Sequence, residues 1–225
     1  MTTATAARTE EDIQRDVLEE LRWDARLQPN EIGVIVKGGV VTLTGWVDTF
    51  VKKWAAERAA QRVRGVKAVA NDIDVRIPAM STRTDADIAA AAARALEWDV
   101  MLPSGSIKVA VDNGWATLRG EVTWEFQKRE AERAVHRLTG VRGVTNLITV
   151  SPSEKPSQDE LQRKIREALV RTAELDSSHL DIDVQGDTVI LKGMVRSSQE
   201  RREAERVAWS APGVTAVDDR IIVEP

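Results

Sequence analysis

Apolar residues return along this chain in one order, three times over. A first stretch spaces them three or four apart: Ile13, Val17 and Leu21; Ile88, Ala92 and Leu96; Leu161, Ile165 and Leu169. That period marks one stripe of an α-helix. Two shorter stretches then alternate. Val34 and Val36 precede Gly38-Gly39, with Val41 and Leu43 beyond. Val109 and Val111 precede Asn113-Gly114, with Ala116 and Leu118 beyond. Ile182 and Val184 precede Gly186-Asp187, with Val189 and Leu191 beyond. Alternation around such dipeptides predicts a β-hairpin, because its tight turn needs positive φ. The helical period then resumes at Ala56, Ala59, Ala60 and Val63, at Ala131, Ala134, Val135 and Leu138, and at Ala204, Val207, Ala208 and Ala211. A face of small residues suits a helix lying close on a sheet. Each unit ends on an apolar run with Ile73 and Val75, Ile148 and Val150, or Ile221 and Val223 turned inward.

The pattern predicts an α+β protein of three tandem αββαβ units, at 9–78, 84–152 and 157–225. Each would be a small three-stranded mixed sheet with two helices packed on one face. The crossover through the second helix should make the second and third strands parallel; strand order stays open. Thr9-Glu-Glu-Asp12, Thr84-Asp-Ala-Asp87 and Ser157-Gln-Asp-Glu160 read as capping boxes that start the first helices. Gly45, Gly120 and Gly193 end the second strands, where either positive φ or the close approach of another segment asks for glycine. Gly65, Gly140 and Gly213 are each followed by valine, as in a left-handed C′ residue and its apolar C″ neighbour closing a helix. Short proline-flanked linkers, Pro78 to Arg83 and Pro152 to Pro156, predict a fixed arrangement rather than free beads.

Composition narrows the chemistry. There is no cysteine, so disulfides, thiolate metal sites and a cysteine nucleophile are excluded. The net charge of −4 argues against bulk nucleic-acid binding. Gly140-Val-Arg-Gly143 matches a GxxG loop of RNA binders, but in one unit only and ahead of a strand rather than between helices. His136 and His179 occupy unmatched positions and suggest no metal site. No catalytic arrangement repeats, so no enzyme, metal or cofactor is expected. The recurring Ala-Glu-Arg at 56–58, 131–133 and 204–206 reads as surface pairing, with Lys53, Lys128 and Arg201 four residues before the glutamates. No apolar run is long enough for a spanning helix. The N-terminus shows neither a basic start nor an apolar core of a secretory signal.

The αββαβ order, the strand-ending Gly45, Gly120 and Gly193, and Gly-Val-x-x-Val at 65–69, 140–144 and 213–217 resemble the BON domain, a bacterial module. Ferredoxin-like metal-handling domains share the last motif but begin with a strand and carry Cys-x-x-Cys. The resemblance covers nearly the whole chain. It implies a non-enzymatic module tied to phospholipid attachment, osmotic or envelope stress, or secretin and channel assemblies. The lack of a visible signal then points to the cytoplasm or the cytoplasmic face of the inner membrane.

Two features suggest where such a module would act. The second helix of the first unit and its flank carry Lys53, Trp54, Arg58, Arg62, Arg64 and Lys67, and the second unit adds Arg137 and Arg142. These residues form the candidate surface for anionic phospholipid. Seven tryptophans stand against no tyrosine. Trp23 and Trp98 match between units and are expected to pack against the first helices. Trp46, Trp54, Trp115, Trp124 and Trp209 are unmatched and are expected to meet other units, or else a membrane or protein partner. The alternatives to a lipid surface are a protein-interaction scaffold or stress chaperone and, by the resemblance alone, a cation-sensing module.

Overall fold

A computed structural model describes residues 8–153, 156–172 and 179–224. In the first unit, helix α1 (Glu10–Trp23) leads to the hairpin β1 (Ile32–Lys37) and β2 (Val40–Val47). Helix α2 (Phe50–Arg62) follows, then β3 (Ala68–Asn71) and β4 (Asp74–Val75). The second unit has α3 (Asp85–Trp98), β5 (Ile107–Asp112), β6 (Trp115–Val122), α4 (Glu125–His136) and β7 (Gly143–Val150). The third has α5 (Gln158–Arg171), β8 (Leu180–Gln185), β9 (Thr188–Val195), α6 (Ser198–Trp209) and β10 (Ala216–Val223).

The hairpin's second strand is central in every sheet, antiparallel to its hairpin partner and parallel to the last strand. The last strand of the first unit is interrupted, and both its pieces, β3 and β4, pair with β2. Inner-face residues such as Val41, Leu43, Ala116, Leu118, Val189 and Leu191 are fully buried beneath the two helices of their own unit. The three predicted helix stripes are all buried. Each unit thus has its own core.

The ends of the elements follow local chemistry. Thr9 with Asp12 and Thr84 with Asp87 form complete capping boxes. Ser157 accepts from Glu160 N–H, but Glu160 turns to Lys164, so the third box is half formed. Gly65, Gly140 and Gly213 have positive φ, but not as C′ residues. The second helices stop at Arg62, His136 and Trp209, and the glycines serve a separate turn beyond them. A Cβ on Gly65 or Gly140 would stand 3.0 Å from Ile13 or Ile88, so this turn also tucks under the first helix.

A tie between helix and last strand went unread in the sequence. Asn71 Nδ2 donates to the Lys53 carbonyl and to Glu57, while its Oδ1 accepts from Ile73 N–H. Asn146 repeats this with Lys128, Glu132 and Ile148. In the third unit Asp219 accepts from Arg201 and from Ile221 N–H. The anticipated surface pairs between Lys53 and Glu57, Lys128 and Glu132, and Arg201 and Glu205 give way to these ties. In the first two units the amide reaches the glutamate from the sheet side, and in the third the Asp219 carboxylate takes Arg201.

Candidate functional site

The second helices of the three units meet, and they do so head to tail. Sixteen residues past each strand-ending glycine stand Gln61, His136 and Trp209; nine past stand Trp54, Arg129 and Arg202; five past stand Phe50, Glu125 and Ser198. His136 of the second unit packs on the first, its ring 5.1 Å from Trp54 and 6.0 Å, edge-on, from Phe50. Gln61 of the first unit accepts a hydrogen bond from Arg202 of the third, and Ser198 Oγ donates to the Val66 carbonyl at 2.6 Å. Trp209 of the third unit shares a cavity wall with Glu125 and Arg129 of the second. The sixteenth position of one unit meets the ninth of another in two of these contacts, and in the third the two positions line the same cavity.

At this junction lies a cavity of about 470 Å³ walled by α2, α4 and α6. Five arginines line it: Arg58, Arg62, Arg129, Arg202 and Arg206. Glu125, Glu203 and Glu205 also reach it. Glu125 Oε2 lies 2.8 Å from Arg129 Nε as an ion pair, without the direction of a hydrogen bond. Burial raises the Glu125 pKa against the pull of Arg129. The Arg206 hydrogen bond holds Glu203 below its ordinary range.

The eight candidate lipid-binding residues fall into two sets. Trp54, Arg58 and Arg62 belong to the junction: Arg58 stacks 4.4 Å over the Trp54 ring, and Arg62 pairs with Glu20 at 2.6 Å. Lys53, half-buried on the same helix, offers its carbonyl to Asn71. Arg64, Lys67, Arg137 and Arg142 are exposed. Lys67 and Arg142 flank two hairpin tips, donating their N–H groups to Gly39 and Gly114.

The tryptophans divide in another way. Trp23 and Trp98 do not pack against their helices; they are 85% and 83% exposed. Leu21 and Leu96 take the inward place in the last turn, and a residue two further on points about 200° away. Among the unmatched five, Trp54 meets another unit and Trp209 lines the shared cavity. Trp46 and Trp115 lie on outer sheet faces, held by Arg76 and by a hydrogen bond to Thr145 respectively. Trp124 is the N-cap residue of α4.

His136, set aside in the sequence because nothing matches it, is the aromatic anchor between two units. It is 5% exposed, and its Nδ1 has no hydrogen-bond partner. Burial pushes its pKa below 6.5, with Glu132 opposing that shift and Arg137 adding to it. The folded form therefore prefers neutral imidazole. Its stabilisation is full above the unfolded value of about 6.5 and is lost as pH falls through the lower folded value. Thermal unfolding between about pH 8 and pH 5 should show an acid loss that His136→Gln reduces. Gln61 already fills the equivalent place in the first unit, so the substitution suits the site. An unchanged pH profile in that variant would remove the assignment.

Among the described residues no group of three or more metal-ligating side chains converges, and no helix is long and apolar enough to cross a membrane. Comparison with known proteins gives three matches to the BON domain model, at residues 9–77, 84–152 and 157–225. Osmotically-inducible protein Y of Escherichia coli (strain K12) is 30% identical over 128 residues, spanning 53% of this chain and 62% of that protein. The match thus covers less than two thirds of that relative's length. Two solved structures of CdsD, a structural protein of the Type III secretion system of Chlamydia trachomatis, align over 95% and 97% of the chain. They cover 93% and 100% of those chains, at 13% and 12% identity and a TM-score of 0.27 in both cases. So low a score supports no inference. The repeated αββαβ units and the family matches together place this chain in the BON domain family.

Proposed function

We propose that this chain is a non-catalytic module of the osmotic or envelope stress response that rests on anionic phospholipid as one three-unit body. The observation that carries the reading is the exposure of Trp23 and Trp98 at the ends of α1 and α3. Two exposed tryptophans hold matched places at these helix ends, and their amphipathic rings suit a lipid interface. Val100 and Met101, exposed just past the end of α3, and Val170, exposed in the last turn of α5, add apolar surface. The exposed Arg64, Lys67, Arg137 and Arg142 add long-range attraction of about 1 kcal/mol each near an anionic leaflet, while Trp54, Arg58 and Arg62 serve the junction and Lys53 the helix-to-strand tie of its own unit. The relative named for osmotic induction supports the stress context.

Flotation with phosphatidylglycerol and with phosphatidylcholine vesicles tests this. Binding is expected to the anionic vesicles only, weaker at physiological than at low salt. The Trp23→Ser/Trp98→Ser double variant should lose at least about tenfold in affinity. Equal flotation of that variant would sink the tryptophan contact. A protein-binding scaffold is the second reading, favoured by Ile35, Leu147, Met194 and Ile222 on uncovered outer sheet faces. It predicts no flotation at all.

A further inference from the structure

Most arginines around the junction cavity already have a carboxylate. Arg62 pairs with Glu20, Arg129 with Glu125, and Arg206 with Glu203. Arg58 and Arg202 differ. Arg58 has only the Trp54 ring beneath it, and Arg202 donates to the neutral amide of Gln61. Neither makes an ion pair among the described residues, although the chain has 36 acidic residues. Glu57, beside Arg58 in sequence, is engaged instead by Gln61 and Asn71. Both guanidiniums are half-buried. Burial lowers both pKa values, and positive neighbours lower them further: Arg133 for Arg58, and Arg58 itself for Arg202. Two partly desolvated cations therefore share one cavity with no carboxylate in contact, Glu57 and Glu205 acting on them only from further off, which is costly unless an anion comes into contact.

We infer that the junction cavity is a binding site for a phosphate group, held between Arg58 and Arg202. Guanidinium forks match phosphate oxygens bidentately, whereas a monovalent halide would satisfy one donor direction at a time. Arg62 lies close enough to act on Arg202 and adds positive potential. Glu125 and Glu203 are neutralised by their arginines, which leaves Glu205 on the wall and Glu57 behind it as the opposing charges. The volume falls within the range of ligand pockets, so a phosphate carrying an organic group also fits. The site stands apart from the Trp23 and Trp98 contact and does not depend on it.

The test is titration of the full chain with sodium phosphate at constant ionic strength, sodium chloride being the control. Melting temperature and tryptophan fluorescence are read together, since Trp54 abuts Arg58. Phosphate should raise the melting temperature saturably above chloride and change the fluorescence. Arg58→Gln/Arg202→Gln should abolish the saturable component, read against that variant's own melting temperature without phosphate. Glu205→Gln should bind phosphate about threefold to tenfold more tightly. Identical responses to phosphate and chloride, or a saturable response persisting in the double variant, would overturn the site. Flotation of the double arginine variant with phosphatidylglycerol assigns the source: lost flotation makes the phosphate a lipid headgroup, and full flotation makes it a free phosphate.

Discussion

Replacing Gly45 with alanine is expected to cost the first unit about 4 kcal/mol, enough to unfold it. Gly45 sits at φ +107°, opposite Ile32 across the hairpin. A Cβ there would lie 2.0 Å from the Glu31 carbonyl oxygen, which is backbone and cannot swing aside. The positive φ alone carries about 1–3 kcal/mol of strain for a residue with a side chain, and the collision adds to it. A single core of about 70 residues rarely supplies more than about 3–5 kcal/mol. Gly120 and Gly193 stand in the same relation to the Ser106 and His179 carbonyls, at 2.1 and 2.0 Å, so the effect should recur in each unit. Gly38→Ala is the comparison. That glycine has φ +59° with nothing within 4 Å, and its loss should cost only about 1–2 kcal/mol. Urea unfolding followed by circular dichroism separates the two. A loss under about 1 kcal/mol at Gly45 would mean that the strand can back away from Glu31.

Trp54→Ala should separate the first unit from the second at a cost of about 3 kcal/mol. One indole holds two contacts: the His136 ring on one side and the Arg58 guanidinium at 4.4 Å. Truncation leaves His136 facing a gap with its Nδ1 still unpartnered, and it strips Arg58 of its platform. The core of the first unit, built from α1, α2 and the inner sheet face, does not include Trp54. The expected signature is therefore one cooperative melt in the parent and two transitions in the variant. A single transition with an unchanged midpoint would show that the junction does not couple the units.

The repeating parts of this structure were legible because each unit must bury a face without help. Leu21, Leu43 and Ile73 sit inside for the same reason as Leu96, Leu118 and Ile148, and alternation or helical spacing reveals all of them. The turn glycines were also legible, since few residues take positive φ. Asn71 and Asn146 recur in an Asn-x-Ile frame and could have been found; the signal was a polar residue where the strand faces inward. The junction was hidden for a different reason. A position that meets another unit answers to its partner rather than to its own fold, so its identity changes from copy to copy. Trp54 was placed both among the unmatched tryptophans expected to meet other units and in the candidate lipid surface beside basic neighbours, while His136 looked incidental. Trp23 and Trp98 misled in the opposite way, since matching suggested a core role for side chains that face outward.

Gln61 opposite Arg202, His136 opposite Trp54, and Trp209 beside Arg129 set a limit on how these units can be exchanged. The two direct pairings are complementary only within their own joints: amide with guanidinium in one, imidazole with indole in the other. A chain assembled from three copies of the first unit would keep every core and bring Gln61 against Trp54 at each joint. The units are interchangeable as folds and not as neighbours, so the order in which they follow one another is written into the junction itself.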